Sequence, residues 1–223
     1  MTFRELGFVQ GRLLVSPNGE LQCFPGEAWE EEFGVANEVG FQLLEWLTER
    51  TFNENNPFWS DAGRKKISEA SKNSGIKVRT ACADYIIDNS FFGNDFRPVR
   101  SHVNKFLACA AALGCEGVVL PFLEQSCLTK LNVDDCVDPL KELALVASKL
   151  NLVINIETLL EGRELASLLD RVNSDHVKVV FDTGNRVQLT ARPEEEIILL
   201  GQRINHVHVK DKNENGQNVL LGT

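Results

Sequence analysis

The stretch 152-LVINIETLLEGRELASLLDRVNSDHVKVVFDTGN-185 decides the fold, because it reads as a strand, a helix and a second strand. Its first apolar run ends on Glu157 and its last apolar run ends on Asp182. The middle carries an apolar stripe at helical spacing, made of Leu165, Leu168, Leu169 and Val172. Strands that are apolar along their whole length and joined by helices are typical of a parallel sheet with both faces covered. The stretch therefore predicts an α/β fold.

The same pattern repeats along the whole chain. Seven strand-like segments alternate with helical patterning, at residues 5–10, 41–46, 76–83, 117–123, 152–157, 177–182 and 204–209. One run after another stops on a charged or polar residue, namely Glu45, Asp84, Glu124, Glu157, Asp182 and His208. Polar residues at the carboxyl ends of successive strands are what an active site in a (β/α)8 TIM barrel requires. Seven strands predict such a barrel without its last strand and helix.

Capping residues mark the predicted helices. Gly40, Gly75 and Gly114 stand where apolar stripes stop, and glycine is the usual residue just beyond a helix. Ser60 is a candidate N-cap, and Pro193 followed by three glutamates is typical of a first helical turn. We find no linker or low-complexity tract, so residues 1–223 are interpreted as a single barrel domain that is truncated at its C-terminus.

Composition narrows the possible partners. The net charge of -9 argues against a nucleic-acid backbone, which needs a basic surface. A small anionic substrate remains compatible, because charge inside a pocket can differ from the overall balance. No apolar stretch approaches the length of a bilayer span, so no membrane contact is expected. The 6 cysteines form no CxxC pair, which favours a reduced, cytoplasmic compartment.

Three successive strand segments end on potential metal ligands, Glu157, Asp182 and His208. In a barrel these side chains would converge on one side of the mouth. Two carboxylates and an imidazole suit Mn²⁺, Mg²⁺, Co²⁺ or Zn²⁺. Such an ion can polarise a carbonyl and stabilise an enediolate formed by proton loss beside it. The alternative is that these residues form ion pairs with Lys210 or Arg186.

A set of short motifs occurs in a characteristic order: Gln10-Gly11-Arg12-Leu13, Phe24-Pro25, Gly40-Phe41 with Glu45-Trp46, Cys82-Ala83-Asp84-Tyr85, Ile156-Glu157-Thr158, Phe181-Asp182-Thr183-Gly184-Asn185 and His206-Val207-His208-Val209-Lys210-Asp211. Together they resemble the xylose-isomerase-like barrel superfamily, especially its sugar-phosphate isomerase and epimerase branch. The resemblance covers essentially the whole chain. It implies a metal site made of Glu157, Asp182, His208 and a second Glu that would lie beyond residue 223.

At one position this chain departs from the family pattern. Family epimerases carry a substrate-contacting His three residues after the metal-binding Asp, where this chain has Asn185. An amide can hydrogen-bond a hydroxyl or carbonyl group but does not titrate near neutrality. The known ketose specificities of the family therefore do not transfer directly. Asn185 is kept as a candidate substrate contact, as are the other polar residues of the strand ends, Lys210, Arg12, His206, Glu45 and Asp84.

These observations predict a metal-dependent isomerase or epimerase that acts on a small sugar or sugar phosphate through an enediolate. Glu157 is the candidate base as well as a metal ligand. Two alternatives stay open: a non-catalytic or truncated barrel that binds a sugar or a partner, and an apurinic-site endonuclease-like hydrolase. The hydrolase needs more histidine than the 4 present and a basic surface. A barrel open at one edge would also favour a homo-oligomer.

Overall fold

The computed structural model describes residues 5–15, 22–90, 92 and 97–222. Seven parallel strands form one sheet in chain order, curled into an incomplete barrel with helices around it. The strands are β1 (Gly7–Val9), β2 (Leu43–Thr48), β3 (Lys77–Ala83), β4 (Gly117–Phe122), β5 (Val153–Thr158), β6 (Val177–Asp182) and β7 (Ile204–His208). The seven predicted strands and the barrel fold are confirmed.

The helices fill the connections between the strands. They are α1 (Glu31–Val39), α2 (Asp61–Ser74), α3 (Tyr85–Asp88), α4 (Arg97–Leu113), α5 (Val133–Leu150), α6 (Gly162–Val172), α7 (Thr183–Leu189) and α8 (Pro193–Leu200). The predicted caps are confirmed. The hydroxyl of Ser60 accepts a hydrogen bond from the Gly63 N–H, and Gly40 ends α1 in a left-handed conformation. No described helix has both the length and the apolarity needed to span a membrane.

Apolar side chains pack on both faces of the sheet, in one layer on each face. The larger layer lies between the strands and the helices and includes Trp46, Phe106 and Phe122. A small cluster, Leu47, Cys82, Val119 and Val180, fills the inside of the barrel. These four residues come from four different strands and form an inner cluster below the carboxyl ends.

One predicted strand end is wrong. Glu45 does not terminate β2, because the strand continues to Thr48. Leu47 belongs to this inner cluster and Thr48 is fully buried. Both residues therefore pack as part of the extended strand. Glu45 therefore lies inside β2 and not at its carboxyl end.

Strand β7 differs from the strands before it. Its inward residues are half-buried, whereas Val207 is 53% exposed on the outward side. Among the residues that the structure describes, β7 and β1 are not paired with each other. A short hairpin of β8 (Asp211–Lys212) and β9 (Asn218–Val219) follows β7 and contacts α7. The hairpin thus lies beside the carboxyl end of β6.

Candidate functional site

Glu157, Asp182 and His208 meet at the carboxyl ends of β5, β6 and β7. The Nδ1 atom of His208 lies 3.6 Å from Glu157 Oε2 and 3.9 Å from Asp182 Oδ2. One ligand atom from each residue lies within 4.8 Å of the others. Both carboxylates are buried and His208 is half-buried. The three predicted metal ligands are therefore brought together in one cluster that opens into the mouth.

Asn185 positions both carboxylates of this cluster. Helix α7 begins directly after Asp182, so Asp182 caps it and its Oδ1 accepts a hydrogen bond of 2.8 Å from the Asn185 N–H. The side-chain amide of Asn185 donates to Glu157 Oε1 at 2.9 Å. One oxygen of each carboxylate is held in this way. The other oxygen of each faces His208. The structure thus places the Asn185 amide on a carboxylate of the cluster.

Lys210 reaches the same cluster from beyond β7. Its Nζ lies 2.6 Å from Asp182 Oδ2. The hydroxyl of Thr183 fixes the Lys210 backbone, accepting from its N–H at 3.0 Å and donating to its carbonyl at 2.8 Å. The ammonium group therefore supplies a positive charge to the Asp182 oxygen that faces His208. A third of the Lys210 side chain is exposed, so this charge can also reach a bound molecule.

Glu45 lies on the opposite side of the His208 ring. Its Oε1 is 3.1 Å from His208 Nε2, and its Oε2 is 3.3 Å from His206 Nε2. The Thr80 hydroxyl on β3 donates to the same Oε2 at 2.8 Å. The curl of the sheet makes these contacts between β2, β3 and β7 possible. Glu45 and His206, both predicted near substrate, are thus joined to His208.

The charges of the site are strongly perturbed. Burial alone would raise the pKa of Glu45, but the charge and hydrogen bond of His208, the charge of His206 and the hydrogen bond from Thr80 hold it at about 2. Burial disfavours the imidazolium of His208, yet Glu45 and Glu157 raise its pKa to about 10. The pKa of Glu157 is lowered because His208 outweighs burial, whereas burial raises the pKa of Asp182 despite Lys210. The rings and side chains of His208 and Lys210 thus lie directly against the buried carboxylates of Glu45, Glu157 and Asp182.

A second group of polar residues lies on the β1 and β3 side of the mouth. Asp84 is buried and accepts hydrogen bonds from Gln22 Nε2 at 3.0 Å and from Cys82 Sγ at 3.2 Å. Gln22 in turn accepts from the Arg12 guanidinium at 2.9 Å. Burial raises the pKa of the Asp84 carboxyl to about 6, and the charges of Glu157 and Glu45 add to this rise. Arg12 and Asp84 therefore share one hydrogen-bonded chain.

The cluster fits a divalent ion. The set Glu157, Asp182 and His208 offers two anionic oxygens and one nitrogen, a mixture that suits the ions predicted from the sequence. A second possible donor set, Glu45, His206 and His208, shares the same imidazole. The remaining histidines lie elsewhere: His102 stacks on Tyr85, and His176 contacts the Leu152 carbonyl.

Thr80 and Gln22 were not among the residues predicted to line the site, and Cys82 was predicted only as part of a motif. Thr80 and Cys82 lie in β3 and Asp84 directly follows its last residue, so a period of two places all three on the inner face. That spacing was a usable signal for Thr80. Gln22 lies in an irregular loop, where no periodicity predicts the direction of a side chain.

Comparisons with known proteins agree with the fold. A family model described as xylose isomerase-like TIM barrel matches residues 33–222. A search of curated protein sequences finds no match. Similar solved structures include the IolI protein with a bound zinc atom, with a TM-score of 0.70 and 18% identity over 95% of this chain and 74% of that one.

Two sugar epimerases are also similar in structure. D-psicose 3-epimerase, solved in the presence of D-fructose, has a TM-score of 0.68 and 18% identity over 83% of this chain and 68% of its own. The 3-keto-D-glucoside 4-epimerase YcjR from E. coli has a TM-score of 0.66 and 19% identity over 83% of this chain and 74% of its own. At these identities the likeness establishes the shared fold.

Proposed function

Because the chain belongs to the xylose isomerase-like TIM barrel family, we propose that it is a divalent-metal-dependent isomerase or epimerase of a small sugar or sugar phosphate. The observation that carries the proposal is the convergence of Glu157, Asp182 and His208 at the carboxyl ends of three neighbouring strands. Solved neighbours that are sugar epimerases support the substrate class. The neighbour with a bound zinc atom supports the use of a metal.

In this proposal Glu157, Asp182 and His208 hold the ion. When bound, the ion polarises the substrate carbonyl and makes the proton on the adjacent carbon more acidic. Glu157 would take that proton, since Asn185 fixes the direction of its carboxylate. His208 has to release its own proton before Nδ1 can act as a ligand.

The remaining candidates surround the space above the cluster. Lys210 is placed to neutralise a developing negative charge or a phosphate group, because its ammonium is only partly buried. On the other side, Arg12 and Asp84 offer a cation and an acceptor for hydroxyl groups, with Gln22 between them. A polar substrate would thus be held from both sides of the mouth.

Proton exchange tests the proposal. The chain would be incubated in D2O with a panel of ketoses and ketose phosphates and with Mn²⁺, Mg²⁺, Co²⁺ or Zn²⁺ in turn. We expect deuterium at the carbon beside the carbonyl, detected by NMR, for at least one pair of sugar and ion. Asp182→Asn should abolish the exchange, whereas the exposed control Asp175→Asn should not. Equal exchange by Asp182→Asn and the wild type would contradict the assignment of the site.

A non-catalytic sugar-binding barrel is the second candidate. It is favoured by the ion pair of 2.6 Å between Lys210 Nζ and Asp182 Oδ2, which neutralises one oxygen of the predicted ligand set. This alternative predicts that sugar binds with equal affinity in the presence and absence of metal, and that no pair of sugar and ion shows exchange. Titration of the same panel by calorimetry separates the two functions.

A further inference from the structure

The two ring nitrogens of His208 have different surroundings. Nε2 lies 3.1 Å from Glu45 Oε1, within the range of about 2.7–3.2 Å for an N–H···O hydrogen bond. Nδ1 lies 3.6 Å from Glu157 Oε2 and 3.9 Å from Asp182 Oδ2, which is beyond that range. One nitrogen is therefore occupied by a hydrogen bond and the other faces a gap between two carboxylates.

The gap at Nδ1 has the size that a shared cation needs. Two ligand atoms that each lie about 2.1 Å from a tetrahedral ion are about 3.4 Å apart. The distances from His208 Nδ1 to the Glu157 and Asp182 oxygens are only slightly longer. His208 Nε2 and Glu45 Oε1, by contrast, are 3.1 Å apart and are already joined by a hydrogen bond. The geometry at His208 therefore favours ligation through Nδ1.

Glu45 is itself held in place. It is 5% exposed, and its Oε2 accepts from the Thr80 hydroxyl and contacts His206, while its Oε1 is directed at His208. Its position inside β2 fixes the backbone from which it extends. A carboxylate restrained at both oxygens can hold the plane of an imidazole ring.

We propose that Glu45 is a positioning residue for the metal site: it accepts the Nε2–H of His208 and thereby presents the Nδ1 lone pair to the ion held with Glu157 and Asp182. A neutral imidazole carries one N–H and one lone pair, so fixing the first fixes the second. Carboxylate partners of this kind orient metal-binding histidines and increase their basicity. The inference rests on the proposed function, since it requires that the cluster bind a divalent ion.

The choice of nitrogen can be observed directly. Zn²⁺ would be added to the full chain labelled with ¹⁵N-histidine, and long-range ¹H–¹⁵N spectra would identify the ligated and the protonated nitrogens. Signals of His208 are assigned from their loss in His208→Gln. We expect His208 with Nδ1 on the metal and Nε2 protonated. The reverse pattern overturns the proposal and places the ion at Glu45, His206 and His208.

Variants of Glu45 provide an independent readout. Glu45→Leu should weaken Zn²⁺ binding by about 10–100-fold and give a mixture of the two ligation modes. The divalent ion and a proton compete for Nδ1. Because the ion has twice the charge of the proton, loss of the Glu45 charge weakens binding of the ion more than binding of the proton. Glu45→Gln keeps an oxygen that can accept the Nε2–H, so it should retain Nδ1 ligation with an intermediate affinity.

A matched control is available in the same fold. Glu32 is a fully buried carboxylate that accepts the N–H groups of Gly11 and Leu13, and Glu32→Gln should leave zinc affinity and ligation mode unchanged. Nδ1 ligation with wild-type affinity in Glu45→Leu overturns the role of Glu45 while the metal site stands. Absence of zinc binding by the wild type overturns the metal site and this inference together. If Glu45→Leu does not fold, the wild-type spectrum and Glu45→Gln still decide.

Discussion

Replacing Asp84 with Asn should remove a pH-dependent loss of stability from the folded protein. Burial raises the pKa of Asp84 from its ordinary value of 3.8 to about 6, although hydrogen bonds from Cys82 and Gln22 oppose the rise. Between about pH 4 and pH 6 the unfolded chain has therefore released a proton that the folded protein retains. Stability is then highest below this window, and the free energy of unfolding falls as pH rises through it. A shift of about two units corresponds to about 3 kcal/mol.

The assay is urea unfolding of the wild type and Asp84→Asn at several values between about pH 4 and pH 7.5. The variant also disturbs the hydrogen bond from Gln22, which costs about 1 kcal/mol at every pH, so the informative quantity is the change with pH. Asp84→Asn should gain about 3 kcal/mol relative to the wild type across the window. Asp88→Asn is the control: Arg50 lowers the pKa of Asp88 below its ordinary value of 3.8, so this carboxyl titrates below the window, and the difference between that variant and the wild type should stay nearly constant across it. A difference between Asp84→Asn and the wild type that stays constant with pH would refute the reasoning.

Three further substitutions test the site and its support. Asp182→Asn keeps an oxygen that can cap α7, so it should abolish Co²⁺ binding, followed by visible absorption, with little change in the urea midpoint; full binding would argue against the ligand set. Asn185→Leu removes the donor to Glu157 Oε1 and should weaken Co²⁺ binding by about 10–100-fold in the same titration, while an unchanged affinity would show that the amide does not orient the carboxylate. Glu196→Ala leaves the buried guanidinium of Arg186 without its carboxylate partner, so urea unfolding should show a loss of about 3–5 kcal/mol, and a loss below about 1 kcal/mol would contradict a buried pair.

The strand order and three members of the site could be predicted from the sequence. Buried parallel strands must be apolar throughout, so the runs that end at Glu157 and Asp182 stand out between helical stripes. The carboxyl ends of parallel strands lie at one edge of the sheet, which predicts that their terminal residues meet. Helix boundaries such as those at Gly40 and Ser60 follow from local backbone and capping preferences.

The side-chain partners of the site could not be predicted in this way. The apolar run that ends at Asp182 predicts that Asn185 follows a strand end. Its amide can donate to Glu157 only because α7 begins directly after Asp182. The hydroxyl of Thr183 similarly brings Lys210 back onto Asp182, across 27 residues of sequence. Both contacts depend on how loops from different strands pack against each other.

Glu45 has some features that follow from the sequence and others that depend on the tertiary structure. Its place in a strand and its inward direction follow from the sequence, whereas its depth in the barrel and its contact with His208, 163 residues away, do not. The distance between β2 and β7 is set by the curl of the whole sheet and by register shifts at Leu44/Glu45 and at Val179/Val180. Local patterns determined which residues face the inside of the barrel. The summed packing of seven strands and their helices determined which of those residues touch.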